Sequence, residues 1–237
     1  MMQLPSIRDE LRYGVPAADQ VLFNRYYILG YSYYFRQAKW ALEIVNDSFD
    51  DVSRLNNFRP DYRIPEMYRA DLVDYEKSGY DRGHLVSSAN QKELEIQNSE
   101  TFLLSNMSPQ FPEFNRGIWK ALEQKVRKLN SSKDILETYV ISGPIFYFDT
   151  KVKCIGKDDA NEINIPVPHA FFKSILSESK TGAIKMYSFI LPNEECTEKL
   201  NDFAVSTRKI ERYTGIYLWE NLVGSKMDKE KVKIRKL

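Results

Sequence analysis

Aromatic-rich and alternating apolar segments along the chain predict β-strands. Residues 25–32 are rich in aromatic side chains, and residues 39–45 alternate apolar with polar positions. We therefore predict two paired strands joined by residues 33–38. Residues 138–148 and 185–191 predict further strands, so the chain carries enough strand signal for a sheet.

One segment has a clear helical period. Its apolar positions recur at steps of four and three residues. They are Ile118, Leu122, Val126 and Leu129. This stripe predicts an amphipathic helix that packs on the core, and Asn115 stands where its N-cap is expected. Residues 168–176 are apolar and predicted to be buried, and residues 195–204 predict a short helix.

The remaining segments are less regular. We predict an irregular N-terminal segment over residues 1–24 and a long functional loop over residues 46–80. Residues 81–110 hold two short apolar runs with a polar stretch of helical character between them. The lysine-dense tail over residues 226–237 is predicted to be frayed or bound to the surface. The sequence contains neither an internal repeat nor a linker, so we predict a single α+β domain over residues 1–237.

Composition changes this picture in two respects. The chain has 34 Lys and Arg against 33 Asp and Glu, a net charge of +1, so any nucleic-acid footprint must be local. Its two cysteines, Cys154 and Cys196, form no disulfide framework, and we expect two buried thiols, with a single bridge as the alternative.

We see neither a signal peptide in the first nine residues nor an apolar run near the ~20 residues of a membrane span. We therefore expect a soluble chain, with its compartment left open.

The histidine count excludes several catalytic classes. Only His84 and His169 are present, so a three-histidine zinc site is excluded, as is the H-E-x-x-H motif. No G-x-S-x-G elbow occurs for a serine nucleophile. Neither cysteine lies in a recognisable nucleophile context, although counts alone do not exclude Cys-His catalysis.

The D-R-G-H segment at residues 81–84 is the strongest chemical signal. Asp81 can close a turn, Gly83 permits close approach of the backbone, and Arg82 offers a guanidinium to phosphate oxygens. A histidine with a pKa near ~6.5 is largely neutral at pH 7, so His84 can take a proton from water. The alternative is a turn that contains a hydrogen-bonded histidine.

A second candidate group lies on the predicted helix. The Asn115 side-chain oxygen can ligate a hard cation, or Asn115 can be an N-cap only. Gly117 in the first turn favours a close neighbour such as a nucleic-acid backbone. Glu123 points roughly to the same side as Asn115, about 12 Å along the axis, so it can reach a metal-bound water; a solvated glutamate is the alternative.

Arginines upstream of the D-R-G-H segment are candidates for phosphate binding. They are Arg54, Arg59, Arg63 and Arg69, and a solvated loop explains them equally well. We expect Trp119 to pack in the core and His169 to be structural.

Together these motifs resemble the DNA/RNA non-specific endonuclease family, and in particular its endonuclease G-like members. The resemblance includes the D-R-G-H segment, the L-S-N-M-S-P-Q segment at residues 104–110, Asn115, Trp119 and the Leu122-Glu123 pair. It extends upstream to residues 13–16 and 39–43 and downstream to residues 141–144 and 210–212, so it covers nearly the whole chain.

The resemblance implies a fold and a set of roles. The fold would be a ββα-metal core in a mainly antiparallel sheet flanked by helices. His84 would be the general base, Asn115 the one direct protein ligand of Mg²⁺ (or Mn²⁺), and Glu123 would hold a metal-bound water. Arg82 would contact the scissile phosphate and Asn106 would support the site. The family's further upstream arginine would be one of Arg54, Arg59 and Arg63.

The resemblance also implies a substrate class. DNA and RNA would be cut with little sequence preference, leaving 5′-phosphate ends. A structure-preferring nuclease of the same class, a catalytically silent nucleic-acid-binding module and a phosphodiesterase for small nucleotides are the alternatives. A homodimer and an inhibitor protein are compatible with the resemblance, and a membrane partner is not expected.

Overall fold

A seven-stranded antiparallel sheet forms the centre of the molecule. The structure is a computed structural model that describes residues 8–45, 52–156 and 164–237. The strands of this sheet lie in the order β1-β2-β3-β6-β9-β10-β11, and every neighbouring pair is antiparallel. They are β1 (Gln20–Phe23), β2 (Tyr27–Ser32), β3 (Gln37–Ile44), β6 (Ile135–Ile145), β9 (Ala170–Ser179), β10 (Ile184–Pro192) and β11 (Ala204–Val205). The predicted α+β class is confirmed.

Two further strand pairs lie outside the large sheet. Strand β4 (Asp81–His84) pairs with β5 (Met107–Gln110), and β7 (Cys154–Ile155) pairs with β8 (Ile165–Pro166). The helices are α1 (Leu72–Tyr75), α2 (Glu95–Glu100), α3 (Pro112–Phe114), α4 (Lys120–Asn130), α5 (Thr207–Thr214) and α6 (Ser225–Lys231). Single 3₁₀ turns occur at Asp9–Tyr13, Glu66–Tyr68, Ser88–Asn90, Leu104–Asn106 and Leu200–Phe203.

The sheet is buried on both faces, which is why its central strands contain so many apolar residues. In β3, Ala41 contributes to the core on one face, whereas Trp40 and Leu42 contribute to the core on the other. Helix α4 covers the first face with Leu122 and Val126, and the apolar stripe that predicted this helix is confirmed. Helix α5 covers the opposite face through Ile210.

Two of the predictions for chain segments were wrong in part. The segment 1–24 contains strand β1, which the sequence did not indicate because only Leu22 of its four residues is buried. Residues 195–204 form only the 3₁₀ turn Leu200–Phe203 before the chain joins the sheet as β11.

Within the described residues, no helix is long and apolar enough to cross a membrane.

The lysine-dense tail was predicted to be frayed or bound to the surface, and the structure shows it in contact with the rest of the chain. Residues 225–231 form α6, and the acceptors of the following basic side chains are buried carboxylates. Glu230 accepts from Lys233 and Arg235, and Lys231 Nζ donates to Glu211 at 2.9 Å. The lysine content left both alternatives open because it gave no information about these tertiary partners.

The cysteines differ from the expectation of two buried thiols. Cys154 is exposed and Cys196 is half-buried, and both are free. The predicted helical stretch within residues 81–110 is present as α2, and residues 170–176 of the predicted buried segment 168–176 lie in the buried strand β9.

Candidate active site

A strand pair followed by a helix builds the scaffold of the site. Strands β4 and β5 pair so that His84 lies opposite Met107 and Asp81 lies opposite Gln110. A Cβ at position 83 would overlap the buried Gln110 side chain, which would have to shift, so glycine allows the two strands to pack with that side chain in place. The chain then enters helix α3, which continues through α4 and places helical side chains beside His84.

These elements line one cleft with an excess of positive charge. The lining residues are Arg54, Phe58, Asp81, Arg82, His84, Ser87, Ser88, Ala89, Asn115, Arg116, Lys120, Glu123 and Arg127. Five of them are Arg or Lys and two are Asp or Glu. The expectation of a local electrostatic footprint in a nearly neutral chain is met here.

His84 is held at the base of this cleft by its backbone and by aromatic rings. The Trp119 indole Nε1 donates to the His84 carbonyl at 3.1 Å, and the ring packs edge-on against Phe102 and Phe58. Burial, with a smaller contribution from the nearby Arg54 charge, lowers the pKa of His84 to about 3. The ring is therefore neutral at pH 7. Its Nε2 atom is buried and has no hydrogen-bond partner among the described residues.

Asn106 lies behind His84, outside the cleft lining. Its side chain accepts from the Val86 amide and donates to the Val86 carbonyl, both at 3.0 Å. It also donates to the Thr101 carbonyl at 3.0 Å. A fully buried amide with these three bonds fixes the backbone that follows His84, consistent with the supporting role expected for it.

Asn115 is not the N-cap that the sequence predicted. Helix α3 begins at Pro112, and the Asn115 amide already donates to the Phe111 carbonyl. Proline at the first helical position starts the helix three residues earlier than the apolar stripe suggested. Asn115 opens a π-helical segment, Asn115–Trp119, between α3 and α4.

The side chain of Asn115 is oriented by a carboxylate. Its Nδ2 donates to Asp81 Oδ2 at 2.9 Å, and the same carboxylate accepts two bonds from the Arg116 guanidinium. Because Asn115 Nδ2 already donates to Asp81, the Oδ1 atom is the atom of this side chain that is available to bind a cation in the cleft.

Gly117 lies in the π-helical segment with ψ −106°, outside helical geometry. No neighbouring protein atom would lie within 4 Å of a Cβ there, so the predicted close neighbour is not supplied by the described part of the protein.

Glu123 reaches the cleft from α4. Its Oε2 accepts from the Ser87 hydroxyl at 2.9 Å. Burial raises the pKa of this carboxyl, and the buried Lys173 ammonium is the strongest influence in the opposite direction. Glu123 is therefore a partly buried residue of the site and not the solvated helix glutamate of the alternative interpretation.

The candidate phosphate-binding arginines separate into two groups. Arg54 and Arg82 line the cleft, and the Arg82 guanidinium lies 4.2 Å from the centre of the Phe58 ring. Arg59 and Arg63 lie outside the cleft: Arg59 donates to the Ser99 carbonyl, and Arg63 forms an ion pair with Asp61 at 2.6 Å. Of the three upstream candidates, the structure brings only Arg54 to His84.

Sequence reasoning missed several cleft residues. Arg127 lies one helical turn after Glu123 and donates to Asn90 at 2.8 Å, so the helical period could have indicated it. Ser87 and Lys120 could have been indicated in the same way. Ser87 follows His84 closely in the sequence, and Lys120 lies on the same helix as Glu123. Phe58 lies in a segment without periodicity, where the sequence carries no comparable signal.

Trp119 and His169 are structural as expected, since Trp119 is buried and His169 Nδ1 accepts from the Tyr147 amide.

The donor atoms of the cleft fit a cation that keeps most of its water ligands. The described residues contain no group of three or more His, Cys, Asp or Glu side chains that could hold a metal ion. The Asn115 oxygen, freed by the Asp81 contact, and the Glu123 carboxylate remain. An all-oxygen set with few protein ligands suits a hard divalent cation.

Comparison with known proteins agrees with this arrangement. Residues 8–225 match the model of the DNA/RNA non-specific endonuclease family. The chain is 32% identical over 233 residues to mitochondrial endonuclease G of Caenorhabditis elegans, covering 93% of this chain and 74% of the relative. It is 32% identical over 225 residues to mitochondrial endonuclease G of Homo sapiens (90% and 73%) and 35% identical over 237 residues to a nuclease of Syncephalastrum racemosum (92% and 73%).

The fold agrees as well. A chain in the crystal structure of the EndoG/EndoGI complex superposes with a TM-score of 0.83 at 32% identity, covering 90% of this chain and 91% of that chain. The sequence match, the shared fold and the metal dependence of the family all agree with the cleft described above. The chain belongs to the DNA/RNA non-specific endonuclease family.

Proposed function

We propose that this protein is a Mg²⁺-dependent endonuclease that hydrolyses phosphodiester bonds of DNA and RNA with little sequence preference and leaves 5′-phosphate ends. The observation that supports it most strongly is the His84 ring. It is buried and neutral, and its Nε2 is unpartnered among the described residues of a cleft that is rich in arginine.

His84 acts as the general base in this proposal. Its neutral imidazole accepts a proton from the attacking water, a step that contributes on the order of 10²–10⁴-fold in rate. The water attacks phosphorus and the bond to the 3′ oxygen breaks, which leaves the phosphate on the 5′ end. The backbone contacts from Trp119 and Asn106 hold the ring in place during this transfer.

Asn115 holds Mg²⁺ (or Mn²⁺) through its side-chain oxygen, and Glu123 orients a water ligand of the ion. When bound, the divalent cation offsets the negative charge that develops on the phosphate and on the leaving oxygen. Arg82 and Arg54 contribute positive charge to the same phosphate group.

Low sequence preference follows from the kind of contact that the cleft offers. Guanidinium and ammonium groups bind phosphates, which are common to all sequences and to both nucleic acids. A cleft that binds mainly through Arg54, Arg82, Lys120 and Arg127 therefore selects a polyanionic backbone rather than a base sequence.

The test is a parallel digestion of plasmid DNA, single-stranded DNA and RNA with Mg²⁺, with Mn²⁺ and with EDTA. We expect all three substrates to be cut with either metal and none with EDTA, with 5′-phosphate ends on the products. Confinement to one substrate supports a structure-preferring nuclease instead. Binding without cleavage under every metal condition supports a silent nucleic-acid-binding module.

A further inference from the structure

A buried carboxylate on strand β3 is linked to the cleft by hydrogen bonds. Glu43 is 1% exposed and is not among the residues that line the cleft. Its Oε1 accepts from Asn90 Nδ2 at 3.0 Å, and its Oε2 accepts from Gln91 Nε2 at 3.2 Å. Removing a carboxylate from water is costly, and neither of these amides carries a charge. A glutamate at this position therefore needs an explanation beyond packing.

The contact with Gln91 has a fixed direction. Gln97 Oε1 accepts from the backbone amides of Glu93 and Leu94, both at 3.2 Å, so its Nε2 is the atom left to donate. That Nε2 donates to Gln91 Oε1 at 2.6 Å. Because the oxygen of Gln91 faces Gln97, its nitrogen faces Glu43. The backbone at the start of α2 thus decides which end of Gln91 the carboxylate meets.

The contact with Asn90 has a fixed direction as well. The Arg127 guanidinium, which has donors only, donates through Nη1 to Asn90 Oδ1 at 2.8 Å. Asn90 therefore presents its nitrogen to Glu43. Donors face position 43 from both sides, and an ionised carboxylate can accept from both, whereas a glutamine has one oxygen for the two. This requirement explains an acidic residue at a buried position of β3.

Arg127 is the cleft end of this chain of hydrogen bonds. It lies one turn after Glu123 on α4 and lines the cleft. Asn90 accepts from Nη1, which leaves further guanidinium N–H groups for a phosphate. Because Asn90 is neutral, it orients the guanidinium without cancelling its charge. The Glu43 carboxylate acts on Arg127 from one side chain further away.

We propose that Glu43 and Asn90 are positioning residues of the nuclease. The Glu43 carboxylate sets the direction of the Asn90 amide, and the Asn90 oxygen holds Arg127 where it binds a phosphate of the nucleic acid. The proposal rests on the function proposed above for the cleft. It adds to the reaction two buried residues that lie outside the cleft lining.

Glu43→Gln keeps the size of the side chain and reverses one contact. Because Gln91 must donate, the new amide turns its oxygen to Gln91 and its nitrogen to Asn90. Asn90 then turns its own nitrogen to Arg127, and two donors face each other. Burial raises the pKa of Glu43 to about 7, so the assay is run at pH 8.5, where the wild-type carboxylate is ionised. With a duplex oligonucleotide and Mg²⁺, we expect kcat/KM to fall about 3- to 30-fold.

A double-mutant cycle with Arg127→Ala distinguishes positioning from a general effect on the fold. If Glu43 acts through Arg127, Glu43→Gln changes kcat/KM by less than about 2-fold once Arg127 is alanine. The slope of log affinity for DNA against log salt, measured in EDTA, is expected to fall in both single variants and no further in the double variant. Additive losses overturn the proposal, as does a Glu43→Gln enzyme with wild-type kcat/KM.

Glu178→Gln is the matched control. It changes another buried glutamate of the same sheet, whose partners are Tyr13 and Arg12 and not a cleft residue. We expect its kcat/KM and its salt slope to match those of the wild type, and an equal loss in this control overturns the proposal. A wild-type protein that binds DNA but cuts nothing contradicts the proposed function instead, and the salt slopes then still test the positioning of Arg127.

A charge swap tests the chain of hydrogen bonds even where Glu43→Gln does not fold. Asn90→Asp alone places two carboxylates against each other, and we expect it to lower the Tm. In Asn90→Asp/Glu43→Gln, the new amide at position 43 donates to the new carboxylate at position 90, which still accepts from Arg127. Gln91 still meets an oxygen at position 43. We expect the double variant to regain most of the lost Tm, and one no more stable than Asn90→Asp overturns the proposal.

Discussion

The C-terminal helix and the cleft both carry dense charge, and they use it in opposite ways. Around α6, Glu230 accepts from Arg235, Lys233 and the Met186 amide, and Lys231 pairs with Glu211. The cations there are held by carboxylates of this same chain. The Met186 amide joins Glu230 to strand β10, and Lys231 joins the same helix to Glu211 of α5.

In the cleft, most cations have no such partner. Among the described residues, Arg54, Arg82 and Lys120 form no ion pair with a carboxylate, and Arg127 donates to the neutral Asn90. The exception is Arg116, which pairs with Asp81. Positive charge without an internal partner is available to a polyanion, whereas paired charge contributes to stability. The contrast identifies which basic residues are expected to bind substrate.

The largest expected effect in this comparison comes from Asp81, the carboxylate that orients the Asn115 side chain. Asp81→Ala removes the acceptor that fixes Asn115 Nδ2, so the amide can turn its nitrogen toward the cation site. We expect the Mg²⁺ concentration for half-maximal cleavage to rise about 10- to 100-fold. A Mg²⁺ titration of the cleavage rate measures it.

Arg116→Ala is the control for this variant. It removes the Asp81 ion pair but keeps the Asn115 anchor, so we expect a smaller change in the Mg²⁺ requirement. Equal effects of the two variants would show that the ion pair, and not the amide orientation, is what matters.

The next effect concerns stability and not activity. Burial alone would raise the pKa of Glu230, but hydrogen bonds from Arg235, Lys233 and the Met186 amide outweigh it and lower the pKa to about 2. A folded-state pKa below the ordinary 4.5 stabilises the fold above about pH 4.5, and this contribution is lost as the pH falls toward 2. We expect Glu230→Gln to lower the free energy of unfolding by about 2 kcal/mol at pH 7, allowing for screening at half-exposed Lys233.

Denaturant unfolding at pH 7 and pH 3 measures this contribution, and kcat is expected to be unchanged. Asp228→Asn is the matched control on the same helix, because its partner Arg208 and Asp228 itself are exposed. We expect that control to change stability by less than about 1 kcal/mol. A loss for Glu230→Gln that is as large at pH 3 as at pH 7 would contradict the ion-pair explanation.

The smallest effect distinguishes the arginines. Removing one phosphate contact lowers the slope of log affinity against log salt by about one unit. We expect Arg54→Ala to weaken DNA binding and to reduce this slope, because Arg54 lines the cleft. Arg59→Ala is expected to leave the slope unchanged, since its side chain donates to backbone carbonyls. Binding isotherms at several salt concentrations check both, and a lowered slope for Arg59→Ala alone would reverse the assignment.

Elements with a regular period were predictable from sequence. Strand β2 was indicated by its aromatic side chains, and strand β3 and helix α4 were indicated by apolar spacing. The D-R-G-H segment with Asn115 and Glu123 indicated residues that the fold brings into one cleft. Strand β1 was missed because one buried residue makes no pattern.

Features that depend on long-range partners were not predictable. The choice among Arg54, Arg59 and Arg63 depends on the course of a loop without periodicity, and the tail depends on Glu211 and Glu230. Glu43 left a detectable signal, a single acidic residue inside a mainly apolar strand, but its partners Asn90 and Gln91 lie 47 and 48 positions away.

The central claim is that neutral His84 takes the proton from water in a cleft whose free cations bind the nucleic acid. The most direct measurement compares single-turnover plasmid cleavage and plasmid binding for wild type, His84→Ala and His169→Ala. We predict that His84→Ala binds with near wild-type affinity but cleaves on the order of 10²–10⁴-fold more slowly, while His169→Ala cleaves normally. Cleavage by His84→Ala at the wild-type rate would contradict the account.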